Sequence, residues 1–216
     1  MDNPFYNSHE VLNISHSGFL PHWNQDGKMQ FVTFRLTDSL PQSKIKELSE
    51  LKQRFINTHP LPWSYDIKMK YWKLISPLES KLLDKGYGSC ILKDSAIRKV
   101  VSDSLKYWDG NKYNLVAYVI MPNHVHAIFH LFGQHTIESV IHSIKSYSSN
   151  TINKITMHSG SIWMKEYFDR IIRGEEHLNS CINYILVNPK YLKYDEFEVY
   201  VNPTYDIGRQ DAATPL

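Results

Sequence analysis

Cysteine is nearly absent: Cys90 and Cys181 are the only thiols in 216 residues. They stand far apart in sequence, which excludes a disulfide framework and a CxxC zinc knuckle and suits reduced, buried thiols in a cytosolic protein. Long apolar runs are missing too, and none approaches the roughly 20 residues that a membrane helix needs. The opening residues, MDNPFYNSHEVLNISHSG, contain no basic stretch followed by an apolar core, so they do not read as a signal peptide. There is no Gly-rich phosphate loop. Charge excess is small. A formal +2 neither demands nor excludes nucleic acid, because a local basic stripe binds phosphate on a nearly neutral protein. These absences lead us to expect a soluble, cytoplasmic protein with no membrane partner.

What is present is apolar mass. At 42% hydrophobic and 13% aromatic residues, the chain can bury one core and is not disordered. Residues 1–28 are polar and irregular, with a turn signal at Asp26-Gly27, and read as an N-terminal extension. MQFVTFRL (Met29–Leu36) alternates and predicts a strand. Ile45, Leu48, Leu51 and Phe55 recur at helical spacing. A second helical pattern follows HPLPWS and stops near Gly86, with Pro77 expected to kink or split it. KDSAIRKVVSDSLKYWDG is a third helix, capped by Asp94 or Ser95.

Two apolar strands are expected at Tyr113–Met121 and His124–Leu131, joined by the tight Pro122-Asn123 step. Thr136 caps a helix bearing Ile137, Val140, Ile141 and Ile144. An extended piece is expected around Ile162–Ile172. A last helix carries Leu178, Ile182, Ile185 and Leu186, and ends at Pro189. The order predicts an α+β fold, a small antiparallel sheet with helices on one face. The domain would span 29–190 with a helical insertion at about 41–87, followed by a polar tail at 191–216.

Within VIMPNHVHAIFH, strand geometry projects His124 and His126 to the same side. Two neutral imidazoles at that spacing can share one divalent cation, with a third ligand from elsewhere. Equally, they can be two hydrogen-bonded histidines beside a turn. A histidine-triad hydrolase would need a third alternating histidine, and position 128 is Ile.

The context around this pair resembles a known family. MPNHVH at a strand end is similar to the histidine–hydrophobic–histidine (HUH) motif of single-tyrosine transposases, the REP-associated tyrosine transposases and their insertion-sequence relatives. FVTFRLTDSLP, VIHSIKS, WMKEYFDRIIRGEEHL and INYILVNP occur in the order this family shows, covering roughly residues 29–190. The resemblance implies a ferredoxin-like or RRM-like HUH fold. It also implies Mg²⁺- or Mn²⁺-dependent cleavage and rejoining of single-stranded or hairpin repeat DNA through a covalent 5′-phosphotyrosine, by a monomer or homodimer.

Fourteen tyrosines compete for the nucleophile's place. It must stand on a rigid element beside the histidine sheet. Tyr147, Tyr167 and Tyr184 are the candidates. Asn188 lies one helical turn after Tyr184, where its amide oxygen could be the third metal ligand. The family's "YI-x-x-NP" segment places the nucleophile at Tyr184 and the amide at Asn188. Tyr147 is the runner-up. Asn188 also suits a helix end. For DNA, Arg170 and Arg173 are the expected phosphate contacts, among interleaved aromatics that suit unpaired bases. Lys145 is expected to contact phosphate or to lower the phenol pKa. Two departures stand out: KYLKYDEFEV follows the NP where the family continues with basic and small residues, and 41–87 is long for a minimal domain of this kind. Two other readings stay open: a sequence-specific DNA-binding protein that no longer cuts, and an unrelated metal-dependent nucleotide hydrolase.

Overall fold

A computed structural model describes residues 3–16, 21–133 and 135–205. The chain forms β1 (Asn13–His16), β2 (Pro21–Asn24), β3 (Met29–Arg35), α1 (Gln42–Thr58), α2 (Tyr65–Leu83) and α3 (Ser95–Lys106). Then come β4 (Tyr113–Ile120), β5 (His124–Leu131), α4 (Ile137–Thr156), β6 (Phe168–Ile171), α5 (Glu175–Val187) and β7 (Glu198–Val201). Five strands build one antiparallel sheet in the order β6-β3-β5-β4-β7. Among the described residues no helix is long and apolar enough to cross a membrane.

The helices cover both faces of this sheet, not one. On β4 nearly every side chain is buried, so both surfaces of the strand need cover. One face carries Phe34, Tyr118, Val125 and Phe129, packed against Val101 and Leu105 of α3 and Ile141 and Ile144 of α4. The opposite face carries Phe31, Val119 and Ile128, packed against Leu178, Cys181, Ile182 and Ile185 of α5. The α5 residues follow helical spacing, one narrow apolar stripe.

Local chemistry sets the helix ends. The Asp94 carboxylate accepts from the N–H groups of Ala96 and Ile97, so Asp94 is the α3 cap. Thr136 accepts from the Ser139 N–H at the start of α4. Pro77 does not split α2, which runs on through it. The proline removes one hydrogen bond, and both Pro77 and the Lys73 it would have joined face solvent, where water replaces the lost partner.

Two terminal regions are more ordered than their polarity suggests. β1 and β2 pair antiparallel within the 1–28 extension. His22 of this hairpin meets Asp169 of β6 at 2.5 Å, both buried. In the expected tail, β7 joins the main sheet beside β4, with Tyr200 stacked on Tyr118. Residues 206–216 lie outside the described residues.

The α2 helix returns to the sheet through a tight loop at Gly88. Its φ is +86°, and a Cβ there would lie 2.4 Å from the Asp38 carbonyl oxygen. The next N–H, of Ser89, donates to the Asp38 carboxylate at 2.7 Å. Left-handed backbone and contact with a carbonyl both demand glycine. Gly88→Ala should therefore destabilise the protein by at least about 2 kcal/mol, read as a lowered urea midpoint.

Candidate active site

His124 and His126 lie on β5, on the α5 side of the sheet, because β3 and β5 pair in the register Arg35↔His124 and Thr33↔His126. The imidazoles are almost fully buried, and their Nε2 atoms face each other at 3.1 Å. Burial holds His124 down to about 3, and burial together with its neighbour His124 holds His126 well below the usual histidine range. Both rings are therefore neutral at pH 7.

The outer nitrogens decide which inner nitrogen carries a lone pair. Asn123 Nδ2 donates to the carbonyls of Leu83 (3.3 Å) and Tyr87 (3.0 Å), which turns its Oδ1 to His124 Nδ1 at 2.8 Å. His124 must donate there, so its Nε2 presents a lone pair. His126 Nδ1 meets the Thr33 hydroxyl at 2.7 Å. A hydroxyl can donate or accept. It can serve His126 with a proton on Nε2, donated to His124, or with a bare Nε2 beside the other bare Nε2. The second state is that of a metal-binding pair with hydrogen-bonded outer nitrogens.

Two imidazole nitrogens suit a divalent transition-metal ion such as Mn²⁺. Two ligands at right angles, with bonds of about 2.1 Å, stand about 3.0 Å apart, close to the observed separation. Among the described residues no three His, Cys, Asp or Glu side chains gather, so a third protein ligand would come from another residue type. Asn188 qualifies. It closes α5, one turn after Tyr184, and its Oδ1 is buried with no hydrogen-bond partner.

Tyr184 reaches the same place. It flanks the apolar stripe of α5, its ring stands edge-on to His126 (centroids 5.0 Å), and its hydroxyl lies 3.4 Å from His126 Nε2. Its closer partner is Ser80 Oγ on α2, at 2.7 Å. Burial raises the phenol pKa, and Asp84 adds to that; Ser80, Asn188 and Arg170 pull it back.

Tyr184 and His126 open onto a cavity of about 490 Å³ between α2 and the sheet. Four cations line it, Arg35, Lys52, Lys81 and Arg170, against two carboxylates, Glu79 and Glu166. Arg170 sits opposite Phe31 on β6, its guanidinium 5.8 Å from that ring, and its Nε is buried without a hydrogen-bond partner.

Of the other sequence candidates, Tyr167 lines the same cavity and the rest fall elsewhere. Arg173 lies beyond the end of β6 and is exposed. Lys145 donates to the carbonyls of Met164 (3.0 Å), Lys165 (3.2 Å) and Glu166 (3.5 Å), so its ammonium braces that loop. Burial and the nearby Arg35 lower its pKa to about 8. Tyr147 is 58% exposed on α4, which packs on the opposite face of the sheet. Trp163 is buried and donates to Ser148 Oγ. Sequence reasoning missed Ser80, Lys52 and Lys81 on the helical insertion, and Arg35 and Thr33 on β3. The alternation of FVTFRL does put Thr33 and Arg35 on one strand face, a signal for the last two.

Residues 87–188 match the protein-family model described as "Transposase IS200 like". No curated protein matches the chain. Among solved structures, one described as the REP-associated tyrosine transposase bound to a REP hairpin is similar. It has a TM-score of 0.43 and 15% identity, over 82% of this chain and 73% of that one.

The buried imidazoles carry a pH consequence. In chelator, the folded protein keeps both neutral, while the unfolded chain takes up their protons as pH falls through about 6.5. The unfolded state then binds more protons, so stability falls from pH 6.5 towards pH 3, by up to about 1.4 kcal/mol per pH unit for each histidine. Urea midpoints between pH 7.5 and 4.5 should show this fall, and His124→Gln/His126→Gln should flatten it.

Proposed function

We propose that this chain, whose residues 87–188 match the IS200-like transposases, is a single-tyrosine DNA strand transferase that cuts and rejoins single-stranded or hairpin DNA. The observation that carries the reading is the Tyr184 hydroxyl, 3.4 Å from Nε2 of a buried, neutral histidine pair and open to a cation-lined cavity. A phosphodiester needs a nucleophile, positive charge around its oxygens and exclusion from bulk water, and these meet at this point.

In this reading the Tyr184 oxygen attacks the phosphorus. The bond from phosphorus to the 3′ oxygen of the leaving strand breaks, and a 5′-phosphotyrosine forms. The phenol proton is balanced by the proton the departing 3′-OH gains. The ester keeps the energy of the broken bond, so a 3′-OH can reverse the step and join a different strand. His124, His126 and the Asn188 amide oxygen would hold Mg²⁺ or Mn²⁺, which as a Lewis acid would stabilise charge on the phosphate oxygens. Thr33 and Asn123 keep the imidazoles oriented for that role.

Arg170 serves as a phosphate contact in the cavity, Arg35, Lys52 and Lys81 extend its basic wall, and the exposed Arg173 contacts phosphate outside it. Lys145, with its three carbonyl partners, holds the loop beside them. The cavity is the size of a small-ligand site, which suits an unpaired nucleotide and not a duplex.

Two measurements test the reading. Incubation with labelled single-stranded hairpin DNA and Mn²⁺ should give an SDS-stable protein–DNA adduct that Tyr184→Phe abolishes while DNA affinity stays within about twofold. Tight binding with no adduct from any hairpin would favour a DNA-binding protein without cleavage. Arg170→Ala should weaken hairpin binding roughly tenfold and reduce the salt slope of binding by about one.

A further inference from the structure

The α1–α2 hairpin lies outside residues 87–188, yet α2 forms a wall of the cavity and touches the candidate nucleophile. The Ser80 Oγ to Tyr184 hydroxyl contact, at 2.7 Å, is shorter than the hydroxyl's contact with His126. It is also the more durable of the two. The His126 Nε2 is committed either to a proton shared with His124 or to a cation, whereas the Ser80 hydroxyl is free to serve the phenol in both states.

Ser80 is itself held on three sides. Tyr71, Trp72, Ile75 and Leu83 bury one face of α2. The neighbouring Glu79 carboxylate lies 3.7 Å from Arg35 Nε on β3 and 3.6 Å from Lys52 Nζ on α1. The carbonyl of Leu83 is bound by Asn123, the residue that orients His124. The serine therefore belongs to a rigid surface, not a mobile loop.

We propose that Ser80 is a positioning residue for Tyr184: from α2 it fixes the direction of the phenol oxygen beside the histidine pair, so that the helical insertion completes the active site. The ring also stands edge-on to Phe31 and His126, contacts that limit its tilt, and Asn188 is a further neighbour of the hydroxyl. Ser80 makes the shortest contact with the hydroxyl and fixes its direction before substrate arrives, and reaction rates are steep in such misplacement. The inference rests on Tyr184 being the nucleophile, but the contact can be tested apart from that reading.

Two experiments decide it. The first is a double-mutant cycle in urea denaturation with Ser80→Ala, Tyr184→Phe and the double variant. Coupling is expected, with Ser80→Ala lowering the midpoint in the wild-type background and leaving it unchanged in Tyr184→Phe. Strict additivity would overturn the proposal. The second is the single-turnover rate of adduct formation with labelled hairpin DNA and Mn²⁺. Ser80→Ala should slow it roughly 10- to 100-fold with DNA affinity within about twofold, and Ser80→Thr should restore most of the rate. A wild-type rate in Ser80→Ala, or a folded Ser80→Thr as slow as Ser80→Ala, would also overturn it. A wild-type protein that forms no adduct would sink the strand-transferase reading instead, and the cycle alone would then decide whether Ser80 holds the hydroxyl.

Discussion

The pairing register between β3 and β5 is the constraint on which the rest depends. Because Thr33 lies opposite His126 and Arg35 opposite His124, both imidazoles emerge on the face that α5 covers. A slip of one residue would send them into the aliphatic layer under α3 and α4 and bring Val125 to the site. The sheet thus separates two tasks. One face is filled with large apolar side chains from two long helices. The other accepts buried polar groups, which cost desolvation unless each has a partner.

That second face keeps its polar groups in an unusual balance. The imidazoles are neutral, so no buried charge needs compensation at pH 7. The cavity cations are only partly offset by Glu79 and Glu166. Asn188 Oδ1 and Arg170 Nε are among the buried polar atoms that have no hydrogen-bond partner among the described residues. Native proteins leave few such atoms, and these two belong to residues that act on the Tyr184 phenol. One offers electrons and the other a proton, a complementarity that suits a bound cation and a bound phosphate.

Much of this was legible in the sequence because it is periodic. The HVH spacing dictates a shared strand face, and the cap residues Asp94 and Thr136 mark helix starts through local hydrogen bonds. Helix geometry puts Tyr184 and Asn188 one turn apart, while their roles follow only from the resemblance of INYILVNP to the family's segment. The misses are nonlocal. Nothing near Ser80 in sequence announces a tyrosine 104 residues away. The β7 strand, EVYV, is short, and only its pairing with β4 gives it a place. The continuous apolar run of β4 did carry a sign that the sheet is covered twice. Lys145 reads in the sequence as a phosphate contact, because its three carbonyl acceptors come from a loop about 20 residues later.

Asn123 gives the architecture a last property. Its amide joins the C-terminal end of α2 and the loop after it to the ring nitrogen of His124. The tautomer of one imidazole is thereby set in part by a helix end, at Leu83, outside the family-matching segment. Residues 87–188 are therefore not a portable cassette. A transplant into another scaffold would carry both histidines and the tyrosine, yet arrive without Thr33 and Leu83, which orient the two rings. Modularity in this protein ends at the hydrogen bonds around the rings, well beyond the edges of the motif.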